Sequence, residues 1–238
     1  MALATVQTAK YVPGSVGGTI PFTLGSAPTN GNILVAVTSY SQYRVARTIS
    51  APDGTWTKAY DGTSGNDSLA IWWKPVLAGA GTTYTFTISD ATEWESGIIY
   101  EIQGASTTAP LPQGVSNGVT SASSYTTSSL TPSVLGMLPL IGISIDQGTY
   151  TGISSVSTGW TFDQYAEPSY HATATVLHSA LTTDTTTALA CTVAFDIANS
   201  AMSWFVLIAP PGGASTPSIA SWLSTTEMIR EPFGLNSY

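Results

Sequence analysis

The sequence predicts an all-β protein: a jelly-roll-like two-sheet sandwich built from two related halves, with an extended C-terminal arm. Three observations carry this prediction. Runs rich in β-branched and aromatic residues recur along the chain, and no segment of any length keeps a helical period. Clusters of Gly, Pro, Asn and Ser separate those runs. Most telling, the chain repeats itself. ILVAVTSY (33–40), GTWTKAY (54–60), AIWWKPVLA (70–78), TTYTFTIS (82–89) and IIYEIQGA (98–105) return in order as LPLIGISI (138–145), GWTFDQY (159–165), ATATVLHSA (172–180), ALACTVAF (188–195) and SWFVLIAP (203–210). A sheet with an apolar face must bury it on a partner, so the halves, about 20–104 and 130–210, are expected to join in one sandwich over residues 1–210. Tandem domains are the alternative.

Taken in order, residues 1–24 hold two short strands, ALATVQTAKYV and TIPFTL, around the turn PGSVGG, and APTNGN (27–32) is a further turn. ILVAVTSY is almost continuously apolar, as expected of a strand covered on both faces. RVARTISA (44–51) alternates moderately, and SLAIWWKPV (68–76) is a strand ended by Pro75. TTYTFTIS alternates Tyr84, Phe86 and Ile88 against Thr, the clearest half-buried strand, and GIIYEIQG (97–104) follows it. Each half thus offers about five strands. Residues 105–132 have the composition of a linker, but edge strands and loops are the preferred reading, with Asn117-Gly118 as a hairpin signal. From Pro210 the texture changes. APPGGASTP is a spacer, and the arm at 211–238 then carries Trp222, Leu223, Met228, Ile229, Phe233 and Leu235. Ser224 and Glu227 have capping-box spacing, and Pro232 limits any helix there to about two turns. An apolar stretch of this kind either folds back on its own sandwich or docks on a neighbouring subunit, and docking on a neighbour is favoured.

Composition narrows the function classes. Only 8% of residues are charged, and the net charge is −8. No Lys or Arg occurs between residues 105 and 210, so no basic stripe exists to neutralise phosphates, and nucleic-acid binding is not expected. No apolar run is long enough to span a bilayer, and the first residues lack the pattern of a secretory signal. The single Cys191 sits in an apolar run and reads as a small core residue.

Candidate chemistry is sparse. Glu93 and Glu95 flank Trp94 at a spacing that puts two carboxylates on one face of an extended segment. A solvated loop and a glycan contact with Trp94 as platform are the competing readings. Asp61, Asn66 and Asp67 lie on a Gly-rich stretch that suits either Ca²⁺ or an ordinary turn, and the turn is preferred. His171 and His178, the only histidines, are too far apart on a strand to share a zinc, so no metal or cofactor is expected. No nucleophile elbow or phosphate-binding loop occurs. Trp72 and Trp73 must point to opposite faces of their strand, one into core and the other exposed or covered. An exposed Trp73, with Tyr40, Tyr43 and Tyr60 nearby, is the best aromatic contact candidate, whereas Trp56 and Trp160 match between halves and read as core.

The succession Gly31-Asn32, Asp53-Gly54-Thr55-Trp56-Thr57, Ala78-Gly79 and Glu101-Ile102-Gln103-Gly104 resembles β-sandwich (jelly-roll or lectin-like) modules of tailed-phage virion proteins and bacterial surface proteins. The resemblance covers residues 1–210 and brings no catalytic residues. With the low charge, the lack of a signal pattern and the apolar arm, the expected function is a non-enzymatic virion structural protein, a tail component or capsid decoration protein made in a host cytoplasm. Its partners would be further copies of itself and other virion proteins. The alternative is a carbohydrate-binding module or adhesin using Trp73, Trp94, Glu93 and Glu95 on surface glycans.

Overall fold

The structure, a computed structural model, describes residues 2–12, 17–41, 47–90, 94–146, 153–166, 171–178, 180–182 and 185–212. These residues form β1 (Ala4–Tyr11), β2 (Thr19–Thr23), β3 (Ile33–Ser41), β4 (Ile49–Ser50), β5 (Thr57–Ser64), β6 (Asp67–Pro75), β7 (Thr83–Ile88) and β8 (Glu95–Gln103) in the first half. The second half holds β9 (Gln113–Thr126), β10 (Leu138–Asp146), β11 (Ile153–Val156), β12 (Trp160–Ala166), β13 (His171–His178) and β14 (Thr192–Ile208). All described pairings are antiparallel, and the fold is all-β, as the sequence predicts.

The first half is a jelly roll. Its larger sheet runs β1-β8-β3-β6-β5 and its smaller sheet β2-β7-β4, with β5 carried onto the larger sheet by its hairpin to β6. The second half repeats this order with two fusions. β9 pairs with the C-terminal part of β14 through residues 113–119 and with its N-terminal part through residues 124–126, so it replaces β1 and β2 together. β14 likewise replaces β7 and β8: its start pairs with β11 and its end with β10. Counted this way the described residues form 16 strands in four sheets, eight per half, where the sequence repeat shows five blocks per half.

The layering is therefore four sheets deep. A first core, with Phe22, Trp56, Trp72 and Phe86, fills the first half between its two sheets. A second, with Ile141, Trp160, Cys191 and Phe205, fills the second half in the same way. The third lies between the halves, where Val35, Val37, Ile71 and Tyr100 of one five-stranded sheet meet Leu140, Met202 and Val206 of the other. Each large sheet is thus apolar on both faces. This explains why every residue of β3 is buried and why its sequence is continuously apolar rather than alternating.

The sheets meet closely because glycine sits opposite bulk. A Cβ on Gly142 of β10 would lie 2.8 Å from Val37 Cγ1, one on Gly114 of β9 would overlap the Tyr60 ring, and one on Gly62 of β5 would overlap Met202. Gly118 belongs to this set: it lies within β9, paired to Met202, where a side chain would strike Ser64. Asn117-Gly118 is therefore strand and not the hairpin turn its composition suggests. Its glycine serves close approach, not a positive φ. Residues 105–132 are not a free linker either, since β9 is an outer strand of the second half.

Gly142→Ala should lower the unfolding free energy by about 1–3 kcal/mol, because the methyl must displace Val37 in a two-sided core. A denaturant titration of this variant beside Gly54→Ala, where a Cβ meets open space, checks it. Equal midpoints would contradict the socket.

Candidate functional site

Of the residues singled out in sequence, Trp72 and Trp73 divide as their alternation requires. Trp72 is 5% exposed in the first-half core and donates its Nε1–H to Thr38 Oγ1 at 3.0 Å. The Lys58 ammonium sits 5.0 Å above its ring. Trp73 faces the other way and packs, half-buried, against the core between the halves. The second half covers it, so it is not the open platform expected of a sugar contact. Of the tyrosines proposed beside it, Tyr40 is buried in the opposite core, Tyr60 packs on the same between-halves core as Trp73 with its ring centroid 4.8 Å from that of Trp204, and Tyr43 lies outside the described residues.

Glu95 is the least expected placement. It opens β8, pairs with Tyr40, and is fully buried. Neither carboxylate oxygen makes a hydrogen bond of good geometry among the described residues. A Cβ on Gly17 would lie 2.6 Å from its Oε1, so the chain passes close to the carboxylate here. Burial pushes the Glu95 carboxyl up to about 7, and the nearby Gly17 N–H offsets part of that. Burial first, and then the Glu95 charge, also raise Tyr11. Glu93 lies outside the described residues, so the paired-carboxylate arrangement is not described, and Glu95 is not on a solvated loop. Trp94 is half-buried beside it. Trp73 and Glu95 stand at opposite ends of β3, opposite Val35 and Tyr40, roughly 17 Å apart along the strand. Of the residues proposed for a glycan contact, Trp73 is therefore set apart from Glu95 and the adjoining Trp94.

The Asp61–Asp67 stretch is a hairpin rather than a ligand loop. Asp61 and Ser64 belong to β5, Asp67 starts β6, and Gly65 turns at φ +60°. Asp61 pairs with Lys58 Nζ at 2.7 Å on the surface, while Asp67 is buried against the second half, accepting from Ser144 Oγ at 3.1 Å. Among the described residues no group of three His, Cys, Asp or Glu side chains could hold a metal.

The sequence motif that joins Gly31-Asn32 to Glu101 is a structural latch. Glu101 accepts hydrogen bonds from Thr29 N–H at 2.8 Å, Asn32 Nδ2 at 2.5 Å and Gln7 Nε2 at 2.6 Å, fixing the turn at Gly31-Asn32 to β8 and β1. Burial opposes its charge, but these donors prevail and hold its carboxyl below the usual range. Asp53 pins its own turn by accepting from Thr55 N–H and lies 3.5 Å from Lys74 Nζ. Lys74 in turn lies across Trp56 at 5.5 Å and Tyr84 at 5.6 Å. Trp56 and Trp160 are core residues at 7% and 8% exposure, as their matched positions imply.

The strand registers show what the second half keeps. Trp160 meets His178 edge-on with centroids 5.0 Å apart, in the place where Trp56 meets Lys74. Asn32 and Glu101 become Met137 and Leu207, Trp73 becomes Leu177, and Glu95 becomes Ala201, all at equivalent pairings. Sequence reasoning missed the Glu101 latch and the burial of Glu95, because both depend on which strands are neighbours. The C-terminal arm residues Trp222, Leu223, Met228, Ile229, Phe233 and Leu235, and the capping-box segment, lie outside the described residues. The chain matches no protein-family model, no curated protein and no solved structure.

Two outcomes are expected. The raised Glu95 carboxyl favours the folded state below its unfolded value near 4.5, and that contribution is lost as pH rises through about 7. Wild type should therefore lose on the order of 3 kcal/mol between pH 5 and pH 8 relative to Glu95→Gln, read as diverging melting temperatures. Parallel curves would show that Glu95 titrates normally. Separately, Glu101→Ala leaves buried donors unpaired and should cost about 2–4 kcal/mol. The Asn32→Met, Glu101→Leu double variant copies the second half and should recover part of that loss in a double-mutant cycle.

Proposed function

We propose that this chain is a non-enzymatic structural subunit of a tailed-phage virion, a tail component or capsid decoration protein, which assembles through its sandwich and its C-terminal arm. The observation that carries this reading is a contrast. The sandwich covers its own sheets from within, through three cores stacked across four sheets. Residues 213–238 nevertheless add seven large apolar side chains to the chain, from Ile219 to Leu235. Apolar residues beyond a completed core suit an interface rather than a fold.

The placement of the chemistry-bearing residues supports the same reading. Glu101 and Asp53 fix turns, Asp67 is held in the seam, Trp73 is covered and Cys191 is core. A surface carried by Ser and Thr, with 8% charged residues, also suits a protein that packs into an assembly, since few charges need desolvation. The virion setting rests on the family resemblance of residues 1–210.

The full-length protein should be oligomeric by sedimentation at micromolar concentration. Combined Trp222→Ser and Phe233→Ser substitutions should shift it towards monomer without moving the melting temperature of the sandwich. A full-length monomer would overturn assembly through the arm. Detecting this chain in a purified phage particle by mass spectrometry would establish the virion setting, and its absence from particles made in the same host would remove that setting.

A further inference from the structure

Asn is followed by Gly twice in the chain, at 30–31 and at 117–118, and the structure holds the two pairs in opposite settings. Asn117 lies in β9 opposite Ser203, with Gly118 opposite Met202. The Asn117 carboxamide donates from Nδ2 to the Thr126 carbonyl at 2.7 Å, and the Asn117 carbonyl accepts from Ser203 Oγ at 3.4 Å. Asn30 and Gly31 are instead the two central residues of a tight turn, closed by Asn32 N–H donating to Thr29 O at 3.1 Å. Both are exposed, and the Asn30 carboxamide makes no hydrogen bond among the described residues. Gly31 turns at φ +89° and carries no Cβ to shield its backbone nitrogen. That nitrogen donates to the Val76 carbonyl at 3.1 Å, a single bond that a local opening of an exposed turn releases.

We infer that Asn30-Gly31 is a site of spontaneous deamidation and isoaspartate formation, and that this modification loosens the Glu101 latch. The Gly31 nitrogen gives up its proton to water or hydroxide and attacks Asn30 Cγ. A new C–N bond closes a five-membered succinimide, and the side-chain amide nitrogen leaves as ammonia. Water then opens either carbonyl of the ring. One product is an aspartyl residue at position 30, and the other an isoaspartyl residue, whose backbone runs through the former side chain and is one methylene longer. The balance is one water consumed and one ammonia released, with no oxidant and no enzyme. The second half shows that the turn does not need the amide. Its equivalent is Leu135-Gly136, with Gly136 at φ +74° and Met137 in the place of Asn32. Leucine occupies the same turn position, so the amide at position 30 adds reactivity rather than shape. The consequence falls on Glu101, which accepts from Thr29 N–H and Asn32 Nδ2, on either side of the reacting pair. The aspartyl product puts a negative charge between those donors, and the isoaspartyl product moves them apart. Both oppose a charged Glu101 carboxylate at this turn.

Peptide mapping of the full chain tests this. Folded protein and protein in concentrated denaturant are incubated side by side in warm, mildly alkaline buffer. Amide loss at each Asn is read by mass spectrometry, and isoaspartate by its fragmentation. In denaturant both pairs should convert at similar rates, because each Asn precedes Gly. In the folded chain position 30 should convert several-fold faster than position 117. Equal rates there, or an unreactive position 30, overturn the site. Folded protein converted at position 30 should melt a few degrees below fresh protein. Asn30→Gln, which does not form the five-membered ring, should keep its melting temperature through the same incubation. Converted protein that melts with the fresh protein, or an equal loss in Asn30→Gln, overturns the effect on the latch. In the Asn32→Met, Glu101→Leu background the same conversion should shift melting less, since no latch remains to disturb. An undiminished shift there overturns the coupling to Glu101.

Discussion

The contact between the two five-stranded sheets is the constraint on which the rest of the molecule depends. Each sheet already closes a jelly roll on one side, so joining the halves makes both sheets apolar on their second face as well. Side chains have then to interdigitate without spare volume, which accounts for Gly62, Gly114, Gly118 and Gly142 at points of closest approach. It accounts equally for the runs in β3, β8 and β10 that read as continuous rather than alternating hydrophobicity.

Polar groups caught in that seam are paired across it, and the pairs help fix how the halves sit. Tyr100 donates to Asp163 at 2.5 Å and also bonds Thr175, while Thr173 bonds both Ser39 and Ser96, the latter at 2.6 Å. Ser144 donates to Asp67 on the same seam. Sliding one sheet by a residue would break these bonds and leave buried polar atoms unsatisfied, a cost of about 1–3 kcal/mol each. Apolar packing supplies the attraction, and this polar layer supplies the register.

The two halves share a scaffold and differ in detail, and the differences separate structure from candidate function. The Asn32–Glu101 latch of the first half is an apolar contact in the second, so two solutions to one turn coexist in a single chain. The aromatic–cation contact of Trp56 with Lys74 survives in altered form as Trp160 with His178. Glu95 has no such substitute: its equivalent Ala201 is simply core. A buried carboxyl with no structural counterpart is costly to keep, which makes it the clearest chemical asymmetry between the halves.

By itself the sequence determined the all-β class, the duplication, the positions of β3, β6, β7 and β8, and the core roles of Trp56, Trp160 and Cys191. These follow from periodicity and repetition, which are local properties of the chain. It could not show that Trp73 packs against the core between the halves, that Glu95 is buried, or that Asn117-Gly118 runs through a strand. Side-chain alternation gives a residue its face, but not what lies against that face. The tertiary structure decided those points, because a four-layer packing brings residues more than a hundred positions apart into contact, as with Ser39 and Thr173. It likewise turned Glu101 from one letter of a sequence motif into the acceptor that holds three segments of the chain together.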